Sequence, residues 1–136
     1  MSGLLVVDSS AMIEALIPTD YRGKAVIERL QKGDALFAPA LMDFEVCAVI
    51  SSLAKAFPPK VAEPEQAIRD LLDFAAVRRV APDQPTCLRA FALRHNLFGY
   101  DAMYVALAES LGANLLTCDG RIARATGPRC AIEHIS

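Results

Sequence analysis

The stretch Leu4–Ile17, LLVVDSSAMIEALI, decides how this chain is read. Leu4 to Val7 is an unbroken apolar run. A strand with water on one face alternates apolar and polar residues. A strand covered on both faces does not, and that is the habit of parallel sheets. The run stops on Asp8, and two serines follow. Apolar residues then return at helical spacing from Ser10 to Ile17, where Pro18 ends the expected helix. A buried strand that runs through a carboxylate into a helix is the first unit of an α/β sheet.

The same unit recurs outward from this stretch. Lys24–Gln31 reads as a helix closed by Gly33, and ALFAP (35–39) as a strand. LMDFEVCAVISSLAKAF (41–57) is a long amphipathic helix ended by Pro58 and Pro59. FPPKVAEP is an exposed connection, and Pro64 opens a helix that runs to about Phe74. VRRV (77–80) is a short strand, and PTCLRAFALRHN (85–96) and DAMYVALAESLG (101–112) are helices. NLLTC (114–118) is a strand, and CAIEHI (130–135) is a final one. Alternating strands and helices predict an α/β domain with a central, mainly parallel sheet flanked by helices.

The 136 residues suit one domain, with no repeat and no linker long enough to divide it. Charged residues make up 22%, too many ordered alternations accompany them for disorder, and 54% of the chain is hydrophobic. That apolar fraction points to surface that meets a partner. A net charge of −2 gives no overall nucleic-acid signature, so any such role rests on a local site. Cys47, Cys87, Cys118 and Cys130 form no metal-ligand spacing and read as small buried hydrophobes in a reducing compartment. There is no signal-peptide pattern and no apolar run of membrane-spanning length, so the expected location is the cytoplasm, away from membranes.

Ligands of parallel α/β sheets bind beyond the carboxyl ends of the strands. Asp8 and Asp119 stand at strand ends and Asp101 at a helix start, all on that edge. Each has a plain explanation: Asp8 and Asp101 as helix caps, Asp119 with Gly120 as a turn. Glu45 is harder to dismiss. Met42, Val46, Val49, Ile50, Leu53 and Phe57 fall on one helical stripe, with Glu45 at its edge and Lys55 on the outer face. A glutamate there needs a partner or must snorkel to water. Clustered carboxylates repel unless a cation sits among them, and oxygen-only ligands suit Mg²⁺ or Mn²⁺.

The ordered acids Asp8, Glu45, Asp101 and Asp119 resemble the acidic quartet of PIN-domain nucleases, above all the VapC-type toxins of bacterial toxin–antitoxin pairs. VVDSSAMIEAL is similar to their first motif and APALMDFEVCAVI to their second. YDAMYVALAESLGANLLTCDGRIARA is similar to their third and fourth in one block, the most specific part. The resemblance spans nearly the whole chain, one PIN domain over residues 1–136. It implies a Rossmann-like PIN fold and a Mg²⁺- or Mn²⁺-dependent endoribonuclease that cleaves RNA with a metal-activated water. It also implies a homodimer and a hetero-oligomer with a VapB-type antitoxin. By the same resemblance the quartet is both catalytic and metal-binding, with Ser9 and Thr117 as supporting hydroxyls. Cys118 and Gly120, on either side of Asp119, depart locally from the pattern.

Arg121, Arg124 and Arg129 follow Asp119 and have two readings, contact with RNA phosphates or a solvated face. Tyr104 reads as core, and His95 as an exposed residue at a helix end. A haloacid-dehalogenase-type phosphatase would have a second Asp where Ser10 stands. A receiver domain would have a late lysine, and none follows Lys60. A DNA-directed PIN nuclease would have added DNA-binding elements. A PIN nuclease of RNA processing and a catalytically silent PIN binding module remain as alternatives to the toxin.

Overall fold

A computed structural model describes residues 3–74 and 76–136. Of the expected span 1–136, Met1, Ser2 and Ala75 lie outside the described residues. The elements run β1 (Leu4–Val7), α1 (Ser9–Leu16), α2 (Tyr21–Leu30), β2 (Ala35–Pro39), α3 (Leu41–Lys55), α4 (Pro64–Asp73), β3 (Val77–Val80), α5 (Gln84–Ala92), α6 (Asp101–Leu111), β4 (Asn114–Thr117), α7 (Gly120–Arg124) and β5 (Ile132–His134). The five strands form one sheet in the order β3-β2-β1-β4-β5. Every pairing is parallel. Helices flank this sheet, as the alternation predicts.

The unbroken apolar runs are buried as expected. Leu5, Val6 and Val7 of β1 and Leu115 and Leu116 of β4 are fully buried. Burying one such side chain contributes roughly 1.5–3 kcal/mol. Helix α1 packs on α2, α3 and α4, α3 packs on α4, α5 packs on α6, and α6 lies across β1, β2 and β4. Six residues of α6 are buried, three of them alanines at 102, 106 and 108, so the helix can lie close against the strands. Gly112 then ends it in the left-handed conformation, at φ 64°. Another glycine serves a close approach. A Cβ on Gly23 would lie 2.5 Å from Pro18 Cβ and 2.6 Å from the Glu14 carbonyl oxygen, so only glycine lets α2 fold back on α1.

Several boundaries differ from the sequence reading, each for a local reason. The second helix starts at Tyr21 because the Asp20 carboxylate caps it at the Arg22 N–H, 2.9 Å away. The helix after Asp83 starts at Gln84 for the same reason, with the Thr86 N–H as donor, and stops at Ala92. On α3 the expected stripe is shorter: Met42, Val46 and Ile50 are buried, while Val49 is partly exposed and Phe57 wholly exposed. The cysteines are not buried hydrophobes. Cys87 is exposed, and Cys47, Cys118 and Cys130 are only partly buried. Among the described residues no helix is long and apolar enough to cross a membrane.

The topology creates one special place. The chain leaves β1 toward β2 and β3, then returns to lay β4 on the other side of β1. Crevices at such a reversal, beyond the strand carboxyl ends, are where open α/β sheets bind ligands. Asp8 and Asp119 lie just beyond β1 and β4, and the Asp8 N–H is bonded to the Leu116 carbonyl at 3.1 Å.

Candidate active site

Asp8 is 2% exposed. It caps α1, with Oδ1 accepting from the Ala11 N–H at 2.9 Å and from Ser10 Oγ at 2.7 Å. Its Oδ2 accepts from Thr117 Oγ1 at 2.5 Å. Thr117 also accepts the Asp119 N–H at 2.9 Å, and Ser10 Oγ accepts the Cys118 N–H at 3.0 Å. Two hydroxyls therefore weld the ends of β1 and β4 together around one carboxylate. Burial dominates its titration and lifts the Asp8 carboxyl to about 6, against the lowering pull of these hydrogen bonds.

Asp119 caps α7 through the Arg121 N–H at 2.8 Å and pairs with the Arg121 guanidinium at 2.8 Å. The pairing holds its carboxyl below the usual range. The sequence reading missed α7. Asp119–Gly120 is a cap and a helix start, not a simple turn, and five residues are too few to show a period.

Asp101 behaves differently. It is the first residue of α6, the cap position belongs to Tyr100, and no side chain caps this end. Among the described residues the Asp101 carboxylate has neither a hydrogen bond nor an ion pair. Burial raises its pKa first, the charge of Asp119 raises it further, and the nearby Arg121 lowers it. Asp101 in turn raises the pKa of Asp8 and Glu45. This one carboxylate, with no hydrogen bond among the described residues, thus feels, or is felt by, all three other acids.

Glu45 is half-buried in α3 and has found a partner. Its Oε1 accepts from the Tyr104 hydroxyl at 2.5 Å. Burial is the main cause of its raised pKa, ahead of the lowering by Tyr104. Burial and Glu45 raise the Tyr104 pKa, and the nearby Ser9 opposes that rise. Of the two adjacent serines, Ser10 serves Asp8. Ser10 and Tyr104 were not among the site residues read from the sequence.

The structure brings the four acids to one edge, but it does not present a finished ligand set. Among the described residues no group of three acidic, histidine or cysteine side chains is arranged to hold a metal ion. Asp8 has both oxygens committed to hydrogen bonds, and Asp119 is held by Arg121. The donors themselves suit a hard cation, since they are all carboxylate oxygens in a partly desolvated cluster. The Cys118 thiol beside them is pushed up to about 11 by burial and neighbouring carboxylates, so it stays protonated and offers no thiolate.

Arg121 is 69% exposed at its side chain, and Arg124 approaches Gly120 from the next turn of α7. Both stand at the rim of the acidic edge. Arg129 does not join them. Its N–H donates to Glu109 Oε2 at 2.7 Å, and it lines a cavity of about 500 Å³ with Arg89, Glu109 and Asn114. That cavity lies where α6 ends and β4 begins, the opposite edge of the sheet, and it contains none of the four acids. His95 and His134 are both exposed.

The PIN domain family model matches residues 5–128. Ribonuclease VapC12 of Mycobacterium tuberculosis (strain ATCC 25618 / H37Rv) is 36% identical over 135 residues, covering 98% of this chain and 100% of that protein. Ribonuclease VapC3 of the same strain is 37% identical over 121 residues, covering 89% of this chain and 86% of that protein. Among solved structures, VapBC2 from Rickettsia felis bound to a promoter DNA fragment superposes with a TM-score of 0.69 at 16% identity, covering 96% of this chain and 98% of that one. Mycobacterium tuberculosis VapC20, a sarcin–ricin loop cleaving toxin, superposes at 0.68 and 16% identity, covering 88% and 92%. At those identities the superpositions speak for the fold. With the family match and the full-length relatives together, the chain belongs to the PIN-domain family, among its VapC ribonucleases.

Proposed function

We propose that this chain is the toxin of a type II toxin–antitoxin pair, a Mg²⁺- or Mn²⁺-dependent endoribonuclease acting as one PIN domain in the cytoplasm. Asp8, Glu45, Asp101 and Asp119 form its catalytic and metal-binding site. The observation that carries the reading is Asp101, a carboxylate with no hydrogen bond or ion pair among the described residues that is coupled by charge to the three other acids. Such a group is costly to ionise alone, and a divalent cation removes that cost. When bound, Mg²⁺ or Mn²⁺ supplies Lewis-acid polarisation of a phosphoryl oxygen and an activated water.

The chain's own residues do the rest. Thr117 and Ser10 lock the orientation of Asp8. Arg121 neutralises Asp119 in the cation-free protein, and its exposed side chain is free to exchange that carboxylate for an RNA phosphate, with Arg124 beside it. The cognate VapB-type antitoxin covers exposed apolar surface and sets a basic side chain against the acidic edge, in a hetero-oligomer built on a toxin homodimer.

The experiment is end-group analysis of the cleaved RNA. Direct attack by water leaves a 5′-phosphate and a 3′-hydroxyl. The alternative, attack by the ribose 2′-hydroxyl, leaves a 2′,3′-cyclic phosphate and calls for paired general acid–base groups such as two histidines. Among the described residues neither His95 nor His134 is hydrogen-bonded to any of the four acids, and both are exposed. Products ending uniformly in 2′,3′-cyclic phosphate would contradict the mechanism.

A further inference from the structure

Glu45 is held by a side chain outside the acidic pattern. Tyr104 follows Asp101 by three residues on α6, so the two rise from one face of one helix. Its ring is fully buried, and its hydroxyl donates to Glu45 Oε1, 59 positions away in sequence. A phenol has one proton and an ionised carboxylate only accepts, so that proton is committed to Glu45. Among the described residues Glu45 Oε2 has no hydrogen bond. A buried ring needed only for packing would be a phenylalanine, since a buried hydroxyl without a partner is costly.

We propose that Tyr104 is a positioning residue for the divalent cation: it fixes the Glu45 carboxylate so that Oε2 is left for the ion or one of its waters. The inference rests on the reading of Glu45 as part of the cation site. Groups that orient metal ligands in this way are worth about 10- to 100-fold in metal affinity.

The test is a cycle of four proteins: wild type, Tyr104→Phe, Glu45→Gln and the double variant. Mn²⁺ affinity is read from the electron paramagnetic resonance signal of free Mn²⁺, with thermal unfolding in EDTA as the check on folding. Tyr104→Phe removes one oxygen and keeps the ring. It is expected to weaken Mn²⁺ binding by about 10-fold or more in the wild-type background. Added to Glu45→Gln, it is expected to change the affinity by less than about twofold. Unchanged affinity in Tyr104→Phe, or an equal loss in both backgrounds, overturns the proposal, because the tyrosine then acts through packing alone. If Glu45→Gln itself leaves Mn²⁺ affinity unchanged, the reading of Glu45 has failed and the proposal falls with it. Should Tyr104→Phe not fold, Tyr104→Met, which also removes the hydroxyl, takes its place in the same cycle. Its expected loss is again confined to the background that keeps Glu45, and a loss in both backgrounds overturns the proposal.

Discussion

Asp101→Asn is expected to lower RNA cleavage in Mg²⁺ by more than about 100-fold, because even the outer partners of metal ligands are worth 10- to 100-fold. The substitution keeps the shape of the side chain and removes its charge. Asp101 makes no cap and no ion pair, and burial together with Asp119 already disfavours its charged form. Neutralising it therefore relieves repulsion, and the metal-free variant is expected to unfold at or slightly above the wild-type temperature. Activity and stability thus separate at this position. Cleavage kinetics on a structured RNA, with thermal unfolding of the same preparations in EDTA, measure both. Near-normal cleavage by Asp101→Asn would remove this residue from the site.

Asp8→Asn is expected to stabilise the metal-free protein at pH 8, although it removes a helix cap carboxylate. Asp8 has an ordinary pKa of 3.8 and titrates at about 6 in the fold. Below the lower value both states are protonated, and the fold keeps its full stability. As the pH rises from 3.8 to about 6, the unfolded chain ionises this carboxyl while the buried one stays protonated. Stability falls through that window by about 3 kcal/mol, at 1.36 kcal/mol per pKa unit. Asparagine carries no charge. Its oxygen accepts from the Ala11 N–H and Ser10, and its amide donates to Thr117 Oγ1. The advantage of Asp8→Asn over wild type is expected to grow from nearly nothing at pH 4 to about 3 kcal/mol at pH 8. Urea unfolding in EDTA at several pH values reads this difference directly. A deficit at pH 8 that does not vary with pH would mean that the cap and hydroxyl bonds, not desolvation, dominate at Asp8.

The parts of this site that were legible beforehand are those written in local sequence. An unbroken apolar run marked β1 as doubly buried, NLLTC read as a strand, and the places of Asp8 and Asp119 followed from how parallel sheets place strand ends. Glu45 stood out because a helical period predicts which residues should be apolar. The rest depends on contacts that no local pattern records. Tyr104 sits in a helix buried on almost every side, so nothing in its neighbours distinguishes a packing ring from one whose hydroxyl meets Glu45. Ser9 and Ser10 are adjacent and chemically identical, yet the turn of the backbone into α1 sends Ser10 back to Asp8. Asp8, Asp101 and Asp119 each had a helix-cap or turn explanation. The fold makes caps of Asp8 and Asp119 and leaves Asp101 bare. Arg129 is five residues from Arg124 in sequence, yet the chain has by then turned to the far edge, and it meets Glu109.

The central claim is that these four carboxylates bind a divalent cation through Asp101. Calorimetric titration of metal-free protein with Mn²⁺ at pH 7.5, comparing wild type with Asp101→Asn, tests it most directly. The account predicts a saturable site in the wild type whose affinity falls by more than about 100-fold in the variant. Equal Mn²⁺ binding by the two proteins, or no saturable binding by the wild type, would contradict it.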